Sequence, residues 1–314
     1  MMSKVLGLHH ITAIAGSAQE NVAFYTAILG LRLVKKTVNF DDPGTYHFYY
    51  GDEYGRPGTI LTFFPWQHMA KGRNGAGMAT EIAYSIPKGS MSFWEKHLQK
   101  NGVSLDHKVE RFGDIYQPFT DPDGLQLSMV ETGLEDNRQG WQVPEIDQGV
   151  ATKGFFNTTL TLRELEPTAR ILTDLLDYDQ VAQEGNRFRF VNPHVTSANT
   201  IDIWVDPKAQ RGSNLAGTNH HIAFTVENSE DQMKLREEIL SAGLHITPQI
   251  DRDYFHSLYF REPGGVLFEI ATKQPGFTVD EPLDRLGQAL KLPKQFEAHR
   301  NEIEAVLPVI KETR

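Results

Sequence analysis

Two histidine pairs, His9-His10 and His220-His221, and one glutamate, Glu269, are the residues of this chain best suited to chemistry. The pairs stand in similar settings, Gly7-Leu8-His9-His10-Ile11-Thr12 and Gly217-Thr218-Asn219-His220-His221-Ile222-Ala223-Phe224. Glu269 interrupts an otherwise apolar run, Val266-Leu267-Phe268-Glu269-Ile270-Ala271. A lone carboxylate buried in such a strand is costly without a partner, and a metal ion or an arginine would supply one. Two imidazoles and one carboxylate, with coordination positions left open, form the facial triad of oxygen-activating Fe(II). The same donors also suit Mn(II), Zn(II) and Co(II). The chain has no cysteine, which excludes disulfides and thiolate ligation. Side chains alternate across a strand, so one histidine of each pair is expected to face the site. Spacing alone leaves open which one.

The elements that would position these groups repeat four times. Four segments open on glycine and continue as a strand, at Gly7, Gly77, Gly154 and Gly217. Each leads into an amphipathic helical stretch, for example Val22, Tyr25, Ile28 and Leu29 before Gly30, a good C-terminal cap. Turn residues then separate short strands. Arg56-Pro57-Gly58, Asp121-Pro122-Asp123-Gly124 and Glu262-Pro263-Gly264-Gly265 each precede an apolar strand, and Ser197-Ala198-Asn199 is the weaker counterpart in the third copy. The pattern predicts four βαβββ modules.

Aligning the copies turns a histidine count into a site. Where copies one and four carry their histidine pairs, copies two and three hold Glu81 and Thr158. Four residues past the turn glycine, the last strands hold Thr62, Ser128 and Glu269. If first and last strands line a cleft between paired copies, copies one and four supply two histidines and Glu269, with Thr62 as a non-ligand fourth. Copies two and three supply only Glu81, Ser128 and Thr158, which is no credible metal site. One metal ion is therefore expected, and Glu81 reads as a residual or solvent-facing carboxylate.

The expected fold class is α+β, with the four modules forming two paired-module domains and a C-terminal helical tail. In chain order the modules fall at 1–137 and 153–274. A polar linker at 138–152 joins them, and a tail at 275–314 carries a helix around Phe296 to Val306. The 314 residues are 39% hydrophobic and 23% charged, enough for a sizeable core. A formal net charge of -10 without a Lys/Arg run argues against nucleic acid. No apolar run reaches the length of a membrane span, and no signal pattern opens the chain, so a cytoplasmic protein is expected, monomeric or homo-oligomeric.

These motifs, with Phe24-Tyr25, Leu29-Gly30-Leu31 and Gly264-Gly265-Val266-Leu267-Phe268-Glu269, resemble the vicinal oxygen chelate superfamily, over nearly the whole chain. Within it they resemble the hydroquinone ring-cleaving dioxygenases. Catechol extradiol enzymes place all three ligands in the C-terminal half, whereas here copy one supplies a histidine. The resemblance implies His10, His221 and Glu269 as the metal ligands. It further implies Fe(II), with Mn(II) compatible, and a small aromatic diol and O2 as substrates. By matching position it also nominates His9, Thr12, His220, Arg252 and Tyr259, with Tyr259 and His220 for proton transfer and Arg252 for stabilising negative charge. The rival readings are a glyoxalase-like isomerase or lyase, and a non-catalytic resistance protein that sequesters a small molecule.

Overall fold

The computed structural model describes residues 4–133 and 136–311. The first module contains β1 (Leu8–Ala15), a short helix α1 (Ala18–Ala23), β2 (Arg32–Val38), β3 (Tyr46–Gly51) and β4 (Ile60–Pro65). The second contains β5 (Met78–Ile86), α2 (Met91–Lys100), β6 (Val109–Arg111), β7 (Asp114–Thr120) and β8 (Gln126–Glu131). The third has β9 (Phe155–Leu162), α3 (Glu166–Arg170), β10 (Asp179–Glu184), β11 (Arg187–Val191) and β12 (Thr200–Val205). The fourth has β13 (Thr218–Val226), α4 (Ser229–Ser241), β14 (Ile250–Asp251), β15 (Phe255–Arg261) and β16 (Leu267–Pro275). The expected α+β architecture of four βαβββ modules is thus the observed one. Helices α1 and α3 each widen into a π turn, Phe24–Ile28 and Ile171–Leu175. The first of these bonds Leu29 N–H to the Phe24 carbonyl at 2.9 Å before Gly30 turns the chain at φ +64°.

Two eight-stranded sheets result, with orders β14-β15-β16-β13-β1-β4-β3-β2 and β10-β11-β12-β9-β5-β8-β7-β6. Module one therefore shares a sheet with module four, and module two with module three. The grouping in chain order, 1–137 and 153–274, follows sequence, while the sheets cross it. The physical reason is the antiparallel seam between β1 and β13, where Ile11 lies opposite Ile222, and its counterpart between β5 and β9. Within each module the first and last strands run parallel, as β1 and β4 do. The helices cover the outer faces with buried apolar stripes, such as Trp94 and Leu98 on α2. On α4 the buried stripe is Gln232, Leu235 and Ile239, while the periodic Met233 and Leu240 face solvent. No helix among the described residues is long and apolar enough to cross a membrane.

After β16 the tail runs back over the edge of the first sheet. The helix expected around Phe296 to Val306 is a tight 3-10 segment, Lys294–His299, followed by α5, Arg300–Val306. The tail is fixed to β2 by the fully buried Lys35, whose Nζ lies 2.5 Å from both Asp280 Oδ1 and Glu281 Oε2. Gly287 makes the approach possible. Its φ is +75°, and a Cβ there would stand 1.9 Å from the Leu33 carbonyl oxygen. Gly287→Ala should therefore destabilise the protein by about 2 kcal/mol and speed cleavage in the tail. Urea denaturation and limited trypsin digestion check this, and an unchanged midpoint would refute the role given to Gly287.

Candidate metal centre

Strand register alone assembles the site. His10 on β1 lies opposite Ala223 on β13, Ala223 pairs with Glu269 on β16, and Glu269 pairs with Tyr259 on β15. The neighbouring row runs from Tyr49 on β3 through Thr62 on β4 and Thr12 on β1 to His221 on β13. Residues two apart on a strand share a face, so both rows point into the concave side of one sheet. Ala223 offers only a methyl group between His10 and Glu269, which leaves room for their side chains to converge.

They do converge. Among the described residues, His10, His221 and Glu269 form the one group of three or more side chains whose potential ligand atoms all lie within 4.8 Å of one another. Glu269 Oε2 is 3.2 Å from His10 Nε2 and 2.9 Å from His221 Nε2, and the two Nε2 atoms are 3.4 Å apart. Glu269 is fully buried, and its Oε2 receives no well-directed hydrogen bond. Its Oε1 accepts from the Ser257 hydroxyl at 2.5 Å. Burial opposes the charge of Glu269, but His10 and His221 hold its carboxyl well below the usual range. An ionised carboxylate oxygen left without a directed donor, facing two imidazole nitrogens, fits a cation as the missing partner. The donor set of two nitrogens and one oxygen suits Fe(II) or Mn(II).

The remaining histidines take positions that strict alternation would not give. The β1–β13 ladder slips at Leu8/His10 and again at Thr12/Ala13, so His9 and His220 are each the extra residue of a β-bulge. Each bulge brings both rings of a pair together instead of sending them to opposite faces. His9 Nδ1 lies 2.9 Å from His10 Nδ1, and His220 Nδ1 lies 2.7 Å from His221 Nδ1. In both pairs the inner ring turns Nε2 toward Glu269 while its other nitrogen is held by the outer ring, which fixes the ring's orientation. Burial, with the neighbouring histidine, pushes His9 and His220 down to about 3. Burial also lowers His221.

Above the three converging groups lies a pocket of about 260 Å³ whose walls include His10, Thr12, His220, His221, Arg252 and Tyr259. Six of the eight residues singled out from sequence thus share one cavity wall. Of the others, Glu269 lies beneath it, and His9 packs behind His10 against Phe255, 5.0 Å between ring centroids. Arg252 stands over the Tyr259 ring at 5.5 Å and the Phe40 ring at 5.2 Å, and it reaches Asp41 at 3.9 Å. Burial and the charge of Glu269 raise the Tyr259 phenol well above its ordinary value, so it stays protonated. Phe64, Trp66 and Phe255 make the rest of the wall largely aromatic. Sequence reasoning missed His47 and Tyr49, which also line the pocket from β3. The alternating Tyr46-His47-Phe48-Tyr49-Tyr50 was their only signal.

The equivalent place in the second sheet is filled by ion pairs. Glu81 is half-buried rather than solvent-facing. Arg111 Nη1 donates to its Oε2 at 2.6 Å, and the Ser128 hydroxyl donates to its Oε1 at 2.6 Å. Nearby, Arg189 pairs with Asp114 and Asp202 at 2.7 and 2.9 Å. A guanidinium here takes the partner role that a cation would take in the first sheet.

Residues 7–129 and 154–270 match the family model of the Glyoxalase/Bleomycin resistance protein/Dioxygenase superfamily, and the chain belongs to that superfamily. Within it, the chain is 47% identical over 304 residues to a protein of Bacillus subtilis (strain 168) provisionally named ring-cleaving dioxygenase MhqO, covering 97% of this chain and 96% of that one. It is 35% identical over 306 residues to the chlorohydroquinone/hydroquinone 1,2-dioxygenase of Sphingobium indicum, covering 96% and 95%. A crystal structure of a provisionally named dioxygenase from Bacillus subtilis superposes with a TM-score of 0.95 at 46% identity, covering 98% of each chain.

Proposed function

We propose that this protein is a metal-dependent ring-cleaving dioxygenase of the non-haem, extradiol type. It would open a hydroquinone-type aromatic ring with O2, with Fe(II) held by His10, His221 and Glu269. Mn(II) fits the same donors. The observation that carries the reading is the triad itself, three buried donors beneath an aromatic pocket sized for a single ring. Relatives matched over nearly their full length carry ring-cleaving names, which supports the same reading. When bound, the metal supplies Lewis acidity toward a phenolic oxygen and an electron path between an electron-rich ring and dioxygen. Both oxygen atoms enter the product, so no external reductant is needed.

The chain's own groups do the rest. The aromatic walls admit a flat ring and exclude water. Arg252 places a permanent cation where negative charge grows on oxygen. His220, neutral at working pH and with its Nδ1 engaged by His221, meets the ring's hydroxyl from the pocket wall as a group for proton transfer. Tyr259, held protonated, donates to an oxygen as the ring opens. Thr62 occupies the place of a fourth ligand, but its hydroxyl is engaged by Thr12 and His47, both at 2.9 Å. That leaves three protein donors, which counts against an isomerase of the four-ligand kind.

The direct test is O2 uptake by anaerobically Fe(II)-loaded protein with hydroquinone, methylhydroquinone and catechol. Stoichiometric uptake with a ring-opened product is expected for the para-diols. Bound metal with no uptake on any of the three would reject the reading.

A further inference from the structure

Four side chains beside the triad form a connected series. The Tyr49 hydroxyl lies 3.0 Å from His47 Nδ1, His47 Nε2 lies 2.9 Å from Thr62 Oγ1, and Thr62 Oγ1 lies 2.9 Å from Thr12 Oγ1. All four residues are buried. Thr62 is the interior link, while Thr12, His47 and Tyr49 border the pocket.

The direction of each hydrogen bond follows from the far end. Among the described residues, the Tyr49 hydroxyl has no polar contact other than His47 Nδ1. A phenol is a stronger donor than an aliphatic alcohol, and an imidazole nitrogen is a stronger acceptor than a phenol oxygen, so Tyr49 donates to Nδ1. Burial keeps that phenol protonated. Burial, with His10 and Arg252 nearby, keeps the His47 imidazole neutral. Donation from Tyr49 makes Nδ1 the acceptor and puts the ring's single proton on Nε2. That Nε2–H donates to Thr62 Oγ1. Thr62 then turns its own proton to Thr12 Oγ1, and the proton of Thr12 is left to point into the pocket. The opposite polarity would make Thr12 a donor to Thr62, with no proton to offer a ligand.

We propose that Tyr49, His47 and Thr62 form a one-way hydrogen-bond chain that makes Thr12 a fixed donor to an ionised oxygen held in the pocket. Tyr49, His47 and Thr62 are positioning residues, and Thr12 is the group that touches the ligand. The chain also accounts for Thr62 at the fourth-ligand place, where its oxygen is used as a link. This inference deepens the proposed function and rests on it in one respect, that the pocket takes an aromatic hydroxyl as its anion.

The test uses metal-loaded protein kept free of oxygen, with 4-nitrophenol as the probe, because its ionised and neutral forms absorb at different wavelengths. The ratio of ionised to neutral bound probe is read at neutral pH, and metal content is measured alongside. Thr12→Val, Thr62→Val and Tyr49→Phe should each lower the ratio about tenfold with metal content unchanged. Combining Tyr49→Phe with Thr12→Val should lower it no further than Thr12→Val alone, since both act through one hydroxyl. Thr12→Ser, which keeps the donor, should restore it. A wild-type protein that does not take up the ionised probe overturns the proposal. So does a Tyr49→Phe or Thr62→Val protein that ionises the probe as well as the wild type does. Ring cleavage is not read here. A protein that passes this test yet consumes no O2 with any diol upholds the chain and rejects the dioxygenase reading.

Discussion

Glu269→Ala should remove bound metal and O2 uptake together. Glu269 supplies the one negative charge and the one oxygen among the three converging donors, and two neutral imidazoles alone make a weak site for a hard divalent ion. Loss of an outer-shell partner typically lowers metal affinity by 10–100-fold, and loss of a direct ligand should exceed that. A fall of more than about a hundredfold is expected, enough for the protein to emerge from gel filtration without metal. Glu269→Gln separates charge from shape. It retains nearly the same volume and a carbonyl oxygen that can accept from Ser257, so the fold should survive, but it should fail on metal retention as the alanine variant does. Metal analysis and an oxygen electrode suffice for both. A Glu269→Ala protein that keeps its iron, or turns over without it, would end the assignment of the triad.

The repeat was legible from sequence because its signals are local. Pro-Gly turns and helical periodicity act within about ten residues, and the four modules follow from them. The partnership of module one with module four was legible only through chemistry, since it alone brings the histidine pairs to one carboxylate. Strand alternation gave the wrong expectation for the outer histidines. It sends His9 and His220 away from the site, whereas two β-bulges hold each beside its partner. A bulge is set by how two distant strands fit, and neither segment announces it. His47 and Tyr49 escaped notice for a related reason. They reach the pocket from β3, which pairs with β4 and not with the strands that carry the triad, and an alternating aromatic run is ordinarily core. The tail was legible as a segment but not as a brace. Its anchor joins Lys35 to Asp280 across 245 residues, and no local pattern carries that.

Acidification should unfold the metal-free protein well before its surface carboxylates account for it. His9 and His220 are held near 3 in the folded chain, chiefly by burial, against about 6.5 when unfolded. A depressed histidine favours the fold above its unfolded value, and that stability is lost as pH falls from about 6.5 toward 3, because the unfolded chain binds the protons. At about 1.4 kcal/mol per pH unit for each ring, the two together lose at most about 7 kcal/mol by pH 4. Asp121 acts the other way. Burial raises it to about 6, so its contribution to the fold is regained as pH drops from 6 toward 3.8, by at most about 3 kcal/mol. His9 and His220 outweigh Asp121, and these three groups together lose about 4 kcal/mol, a large part of a typical domain's stability. Thermal melts of metal-free protein from pH 7 to pH 4 should fall steeply, and His9→Asn with His220→Asn should flatten the curve. A wild-type melting temperature that holds constant over that window would mean that the two rings are already charged in the fold, and that their bulges hold imidazolium rather than imidazole against His10 and His221.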